Sequence, residues 1–277
     1  LYFEDGQNGQ SLTVKILDDF ATENTEFFNL TLSNPTLGAV IGSPSQAKIN
    51  IVDDETVNVP AGSIDTFFDT GIGIKVNGPI EVIKRDVDNN LLLSGEFTVI
   101  NGILRKGIAK LSDKGELDSE FNVEGGTNGL IKDIFPMLDG SIIVVGDFTE
   151  VGGTVRNRIA KINSDGYLND SFDPGSGFDG VAHSIVPLAG GGLLVAGEFQ
   201  SYKGKARRGL VVLGSDAQDV TSWSEQIGSA GAVFSAAELD DGSLIIGGDF
   251  EQFANNEFAQ KVARIDTDGK VNQLFTD

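Results

Sequence analysis

Apolar residues along this chain come in short bursts, and four of the bursts share one ending. They read Leu91-Leu-Leu-Ser-Gly-Glu-Phe97, Ile142-Ile-Val-Val-Gly-Asp-Phe148, Leu193-Leu-Val-Ala-Gly-Glu-Phe199 and Leu244-Ile-Ile-Gly-Gly-Asp-Phe250. A nearly continuous apolar run of this length predicts a strand buried on both faces. The glycines Gly95, Gly146, Gly197 and Gly248 are spaced by 51 residues. Gly78, Gly129, Gly180 and Gly231 keep the same step, as do Phe121, Phe172 and Trp223, with Phe275 one residue late. Around each run the pattern predicts further strands. Ile131-x-x-Ile134 leads into the turn Asp139-Gly140, a pair suited to a tight hairpin. After a polar loop, Ile159-Ala-Lys-Ile162 alternates as a half-buried strand, and Asp165-Gly166 turns into Leu168 to Phe172. Four antiparallel strands in about fifty residues is the pattern of a β-propeller blade. There are four full repeats, Ser63-Ile-Asp-Thr-Phe67 before them and the opening of a fifth at Val271-Asn-Gln-Leu-Phe275, so the expected architecture is a partial ring.

Residues 1 to 56 follow another pattern. Leu12-Thr-Val-Lys-Ile-Leu17 alternates into Asp18-Asp19, and Glu23 and Glu26 precede Phe27-Phe-Asn-Leu-Thr-Leu32. Ser33-Asn-Pro-Thr36 turns, and Ala47-Lys-Ile-Asn-Ile-Val52 closes on Asp53-Asp54-Glu55. The expected division is therefore 1–56, a linker at 57–62, and the repeats at 63–277.

Both parts resemble known families. The strand ending Gly-Asp/Glu-Phe, then Arg-x-x-Ile-Ala-Lys, then Asp-Gly-x-Leu-Asp/Asn-x-x-Phe, resembles the delta-60 repeats of bacterial secreted and surface proteins. The third repeat departs most, with Gly209-Leu-Val-Val-Leu213 and Trp223. Kelch repeats share the period but not the spaced tyrosine and tryptophan. Residues 1–56 resemble the second half of a Calx-β domain, a sandwich found in the sodium–calcium exchanger and in bacterial adhesins, whose first strands would lie before Leu1. The fold class expected is all-β: a partial Calx-β immunoglobulin-like sandwich, then propeller blades.

The Calx-β resemblance implies calcium, with Asp18, Asp19, Glu23, Glu26, Asp53 and Asp54 on the family's ligand positions. Calcium takes six to eight oxygen ligands, mostly carboxylates on loops. The other reading is an acidic loop that repels itself and holds no ion. Composition is consistent with a metal-binding exterior module. Forty-one acids against twenty bases give a net charge of −21, which repels nucleic acid and favours cations. There is no cysteine, hence no disulfide framework and no thiolate site. No apolar run reaches the length of a membrane span.

Other residues invite a role. Glu96, Asp147, Glu198 and Asp249 repeat, and Arg105, Arg156 and Arg207 follow nine residues after the first three. Residues present in every blade are expected to serve the blade, here through a carboxylate–guanidinium contact. His183, the single histidine, has no partner for zinc and no serine-nucleophile signature around it. Lys203-Gly-Lys-Ala-Arg-Arg208 is one basic knot, either a solvated loop or a contact for acidic polysaccharide. Tyr202 and Phe253 are candidate exposed aromatics for a carbohydrate ligand; Trp223 is expected in the core first. The expectation is a non-enzymatic structural and adhesive module, extracellular or on the bacterial cell surface. Its partners would be neighbouring modules of the same chain, surface glycans or other surface proteins. A carbohydrate-binding propeller is the alternative, and a propeller hydrolase or lyase the third reading.

Overall fold

The structure is a computed structural model and describes residues 14, 26–36, 38–51, 74–222, 228–253, 257–258 and 260–272. Every described element is a strand, and no helix long and apolar enough to cross a membrane occurs among these residues. The chain divides into two compact units, Leu1–Ile64 and Asp65–Asp277.

In the first unit, β1 (Glu26–Thr31) pairs antiparallel with β2 (Gln46–Ile51), from Glu26 opposite Ile51 to Thr31 opposite Gln46. Burial alternates along β1, with Phe28 and Leu30 half-buried, whereas the described positions of β2 are exposed, as are Phe27 and Leu32. Lys48 lies 3.8 Å over the Phe27 ring, a cation–π contact across the pair.

The second unit contains the repeats. The first blade is built from β3 (Ile80–Arg85), β4 (Leu91–Gly95) and β7 (Ile108–Leu111), paired in the order β3-β4-β7, with a small hairpin of β5 (Val99–Ile100) and β6 (Ile103–Leu104) beyond β4. The second repeats this with β8 (Ile131–Pro136), β9 (Ile142–Gly146), the hairpin β10 (Glu150–Val151) and β11 (Thr154–Val155), and β12 (Ile159–Ile162). The third has β13 (Ala182–Pro187), β14 (Leu193–Gly197), the hairpin β15 (Ser201–Tyr202) and β16 (Lys205–Ala206), and β17 (Leu210–Leu213). In the fourth, β18 (Ser229–Glu238) and β19 (Leu244–Phe253) run ten residues each and carry β20 (Glu257–Phe258) and β21 (Val262–Ile265) on the far side. The expected fourth strand of each blade takes its shortest form, one antiparallel bridge: Leu111 to Leu117, Ile162 to Leu168, Leu213 to Asp219 and Ile265 to Val271.

Among the described residues three hydrophobic cores lie between blades, and another, of Leu93, Phe97, Ile100, Ala109 and Leu111, lies on one face of the first blade alone. Ile142 and Val144 face a core shared with Val82, Leu92 and Ile108 of the first blade. Ile143 and Val145, the alternate residues of the same strand, face Ile185 and Val195 of the third. Both faces of β9 are therefore covered, which is why its sequence does not alternate. The third and fourth blades share another core, including Leu194, Val212, Val233 and Ile246. First strands of successive blades pack side by side: β3 with β8, β8 with β13, and β13 with β18. Polar ties cross the same seams. The buried Asp133 accepts the Ile185 amide at 2.9 Å and pairs with Lys84 at 2.9 Å, joining three blades through one carboxylate.

Candidate functional site

The carboxylates that the Calx-β resemblance nominates, Asp18, Asp19, Glu23, Asp53 and Asp54, lie outside the described residues, and Glu26 is placed only as the first backbone position of β1. Among the described residues no group of three or more metal-ligating side chains occurs.

Most of the repeated residues are consumed by the blade itself, Glu198 of the acid series being an exception that faces His183. Phe97, Phe148, Phe199 and Phe250 are all buried to 1% exposure or less. Asp147 accepts the Leu130 amide at 2.6 Å, linking second strand to first. The arginines correct the expected pairing with the acids nine residues earlier. Each donates through Nη1 to the carbonyl just before it, Leu104, Val155 or Ala206, at 3.0 Å. Beyond that they reach forward to the next turn. Arg105 donates to the carbonyls of Asp118 and Ser119 at 3.4 and 3.2 Å, and Arg207 holds the Asp219 carboxylate at 2.7 and 2.8 Å. The reason is geometric: the arginine directly follows the outer hairpin and lies beside the one-bridge fourth strand at Leu117 or Asp219.

The residue before Gly78, Gly129 and Gly180 also works for the blade, and sequence reasoning missed it. The Asn77 carboxamide accepts the amides of Thr98 and Val99, and Asn128 those of Thr149 and Glu150, at 2.8 and 2.9 Å. Asp179 accepts those of Gln200 and Ser201 at the same distances. Burial works against the Asp179 charge, but these amides outweigh it and hold its carboxyl below the usual range. A 51-residue step from Asn77 would have revealed the series.

Tyr202 and Phe253 are core residues, at 0% and 1% exposure, which removes them as carbohydrate platforms. They occupy the phase of Ile100 and Val151, also buried. The Tyr202 hydroxyl donates to the Ala217 carbonyl at 2.7 Å, and burial pushes its pKa up. Within the basic knot, Arg207 is consumed by Asp219, leaving Lys205 and Arg208 exposed on the hairpin. Trp223 lies outside the described residues.

One position behaves differently. Each first strand skips a residue in its pairing. β3 pairs Ile80 with Gly95 and Val82 with Ser94, passing over Glu81; β8 passes over Lys132, β13 over His183 and β18 over Phe234. A bulge leaves one residue unpaired and re-aims its side chain. One glycine series seats it. A Cβ on Gly95, Gly146, Gly197 or Gly248 would lie 2.0, 1.9, 2.2 or 2.1 Å from the carbonyl oxygen of Pro79, Leu130, Val181 or Ala232, two residues before the bulged position. The backbone is thus the same in four blades, while the bulged residue is Glu, Lys, His and Phe. These side chains meet across the seams. Glu81 and Lys132 form an ion pair at 3.0 Å. The His183 ring stands edge-on to Phe234 with centroids 5.1 Å apart, and its Nε2 lies 2.9 Å from Glu198 Oε1.

An opening of about 320 Å³ lies between the turns of the third and fourth blades, lined by Leu188, Val212, Val220, Leu244, Glu238 and Asp266. Val212 stands where the earlier blades carry Lys110 and Lys161. Its carboxylates are engaged: Glu238 accepts the Ala189 amide at 2.7 Å and Asp266 the Asn272 side chain at 3.3 Å.

Sheets that share their cores face to face, one per 51-residue repeat, define this unit as an array of propeller blades. The family comparisons agree. Residues 1–55 match the Calx-beta domain family, and residues 88–121, 138–172 and 239–275 match the domain of unknown function (DUF5122) beta-propeller. The chain carries a Calx-beta domain segment followed by DUF5122 beta-propeller repeats. Most of the divergent third repeat falls outside the matched ranges. No curated protein matches. Among solved structures, a protein of unknown function from Bacteroides caccae is similar at 18% identity, with 81% of this chain and 72% of that one covered and a TM-score of 0.41. A streptogramin B lyase is 17% identical over 70% of this chain and 53% of its own, TM-score 0.42. Virginiamycin B lyase from Staphylococcus aureus is 13% identical over 90% and 73%, TM-score 0.42. At such scores the likeness says nothing about activity.

Proposed function

We propose that this chain is a structural and adhesive module of a large secreted or cell-surface bacterial protein, not an enzyme, in which calcium stiffens the Calx-beta segment. The observation that carries it is the fate of the repeated residues: phenylalanines, glycines, the aspartate–amide tie and the arginines all close bonds inside or between blades. A repeat whose constant positions are spent this way encodes a rigid spacer. The combination of a Calx-beta segment with propeller repeats, a net charge of −21 and no cysteine support the exterior setting. Neighbouring modules of the same chain, surface glycans and other surface proteins are the partners this reading implies.

For calcium the support is chemical. In the sequence Asp18-Asp19 and Asp53-Asp54 each follow an apolar run, and carboxylates brought together repel one another until a divalent cation relieves them. With Glu23 and Glu26 they supply the hard oxygen donors that calcium takes. An ion bound only by the folded form stabilises by mass action, about 2.7 kcal/mol at a hundredfold excess over Kd. The test is thermal melting of the chain in excess calcium and in chelator, followed by Asp53→Asn with Asp54→Asn. The expected result is a rise of several degrees in the melting of the Calx-beta unit, lost in the double variant. An unchanged melting temperature, with no calcium taken up in titration, removes calcium and leaves a spacer. A glycan array with and without calcium tests adhesion, and binding to host glycans only with calcium present is the expected pattern.

A further inference from the structure

The bulge row is a place where all four blades differ at a position the backbone keeps constant, and its two halves are unequal. Glu81 and Lys132 satisfy each other at 3.0 Å. In the other half, Phe234 projects from a first strand with 48% of its surface exposed, an unusual place for a large apolar ring. Glu198 is 47% exposed, and its Oε1 lies against His183 while Oε2 has no hydrogen-bond partner among the described residues. The His183 ring sits between the two, edge-on to Phe234 and hydrogen-bonded to the carboxylate. The imidazole therefore fixes an exposed aromatic ring and a half-used carboxylate beside each other.

We infer that His183, Glu198 and Phe234 form a binding site for an organic cation, an alkylammonium or guanidinium group on an apolar stem. The charge bonds Glu198 Oε2 while the stem or the cation itself covers the Phe234 ring. Cation–π attraction and a charge-assisted hydrogen bond act on the same group there. The net charge of −21 draws cations toward this rim and repels anions. The one cation of the row, Lys132, is neutralised by Glu81 and does not oppose the ligand. A neutral sugar could stack on Phe234 but would gain nothing from that field. The site is independent of the calcium reading, since none of its residues belongs to the Calx-beta segment.

His183 is the only histidine, so its imidazole gives a single, unambiguous set of NMR signals. The test follows those signals while the whole chain is titrated with acetyl-Arg-Gly-Arg-amide, with spermidine, and with acetyl-Gln-Gly-Gln-amide as the uncharged control. The expected result is a saturable shift with a cationic probe, at a Kd on the order of millimolar or tighter, and none with the control. A response to the peptide alone assigns the cation to a protein segment, and a response to spermidine as well extends it to free polyamines. Glu198→Gln keeps the bond to His183 and Phe234→Ala removes the ring; each is expected to weaken binding fivefold or more at unchanged melting temperature. Asp240→Asn removes one exposed charge elsewhere and is expected to leave the Kd within a factor of two. Failure of both cations to move the signals overturns the site. So does a shift that survives Glu198→Gln and Phe234→Ala, or one that Asp240→Asn weakens equally, because general charge attraction then explains it.

Discussion

Strands β8 and β9 lie side by side in one blade, and the repeat treats them in opposite ways. Every residue from Ile142 to Gly146 of β9 is buried, and its counterparts in the other blades are interchangeable in type. Strand β8 has the same backbone as its counterparts, bulge included, but the bulged residue changes character completely from blade to blade. A position that must fit between two neighbours can vary only in shape. A position lifted out of the pairing is released from that constraint and is free to carry chemistry. Within a repeat protein, then, constancy marks scaffold and departure at a constant backbone site marks the place to look for recognition.

The largest expected effect comes from breaking the scaffold side. Phe148 is fully buried in the core shared by the first two blades. Phe148→Ala is expected to cost about 3–5 kcal/mol, through lost burial and the cavity left behind. Urea unfolding followed by tryptophan-independent circular dichroism measures it. A loss under about 1 kcal/mol would mean that the seam collapses freely and that blades do not depend on close packing.

Asp219 sharpens the comparison next, because here the third repeat replaces an apolar residue with an ion pair. It stands in the phase of Leu117 and Leu168, and its side chain is 6% exposed against an Arg207 that is 7% exposed. Burial works against its charge, yet hydrogen bonds from Thr221 and from Arg207 prevail and its pKa lies below the ordinary value. A depressed carboxylate contributes stability above its unfolded pKa of about 3.9, and that contribution fades as pH falls through the lower folded value. Asp219→Asn is expected to lose about 1–3 kcal/mol at neutral pH, and to lose less on acidification below about pH 4 than the parent does. Urea unfolding repeated from neutrality to about pH 3 tests this; parallel pH profiles for the two proteins would dissociate Asp219 from the acid limb.

The glycine pair comes third. A Cβ at Gly146 would lie 1.9 Å from the Leu130 carbonyl oxygen, so strand β8 has to give way. Gly146→Ala is expected to cost about 1–3 kcal/mol, the range for forced overpacking. It should also disturb the amide signals of Leu130 to Asp133 more than those of the third strand, because the bulge is what the glycine seats.

Much of this was legible in the sequence, for a physical reason. Covering both faces of the second strand demands an unbroken apolar run, and the close approach of first and second strands demands glycine twice per repeat, so both constraints left a 51-residue signature. The outer hairpins were harder to see because their strands are two residues long. Their turns, Asn101-Gly102, Gly152-Gly153 and Lys203-Gly204, were nevertheless written in suitable residues, with Asn101 and Lys203 at positive φ. Tyr202 was misread by type, since its phase with Ile100 and Val151 already placed it inside. The arginine partners were not legible at all, because sequence distance from Arg105 to Glu96 says nothing about which turn folds back beside the third strand. The bulge row escaped for the opposite reason. Its residues share no type, and although the 51-residue step puts Glu81, Lys132, His183 and Phe234 in phase, only the backbone shows that the position is a bulge.

The smallest expected effect is the one that tests the comparison most sharply. If the bulge position is released from the packing that governs its neighbours, exchanging its residues should leave stability almost untouched. Lys132→Gln breaks the pair with Glu81, whose side chains are 30% and 33% exposed, and a pair so exposed contributes little, about 0–1 kcal/mol. His183→Gln keeps a donor toward Glu198 and loses the edge contact with Phe234 from a side chain 17% exposed, a change of about 0.5–1 kcal/mol. Both are expected to unfold within about 1 kcal/mol of the parent protein in urea, against the several kcal/mol of Phe148→Ala a few residues along the next strand. A loss of about 3 kcal/mol or more from either would show that the row is a seam tie like Asp133, varied only because each seam found its own pair. Near-neutral values, together with an unchanged amide pattern around the bulge, would leave the four residues with no structural reason for being what they are.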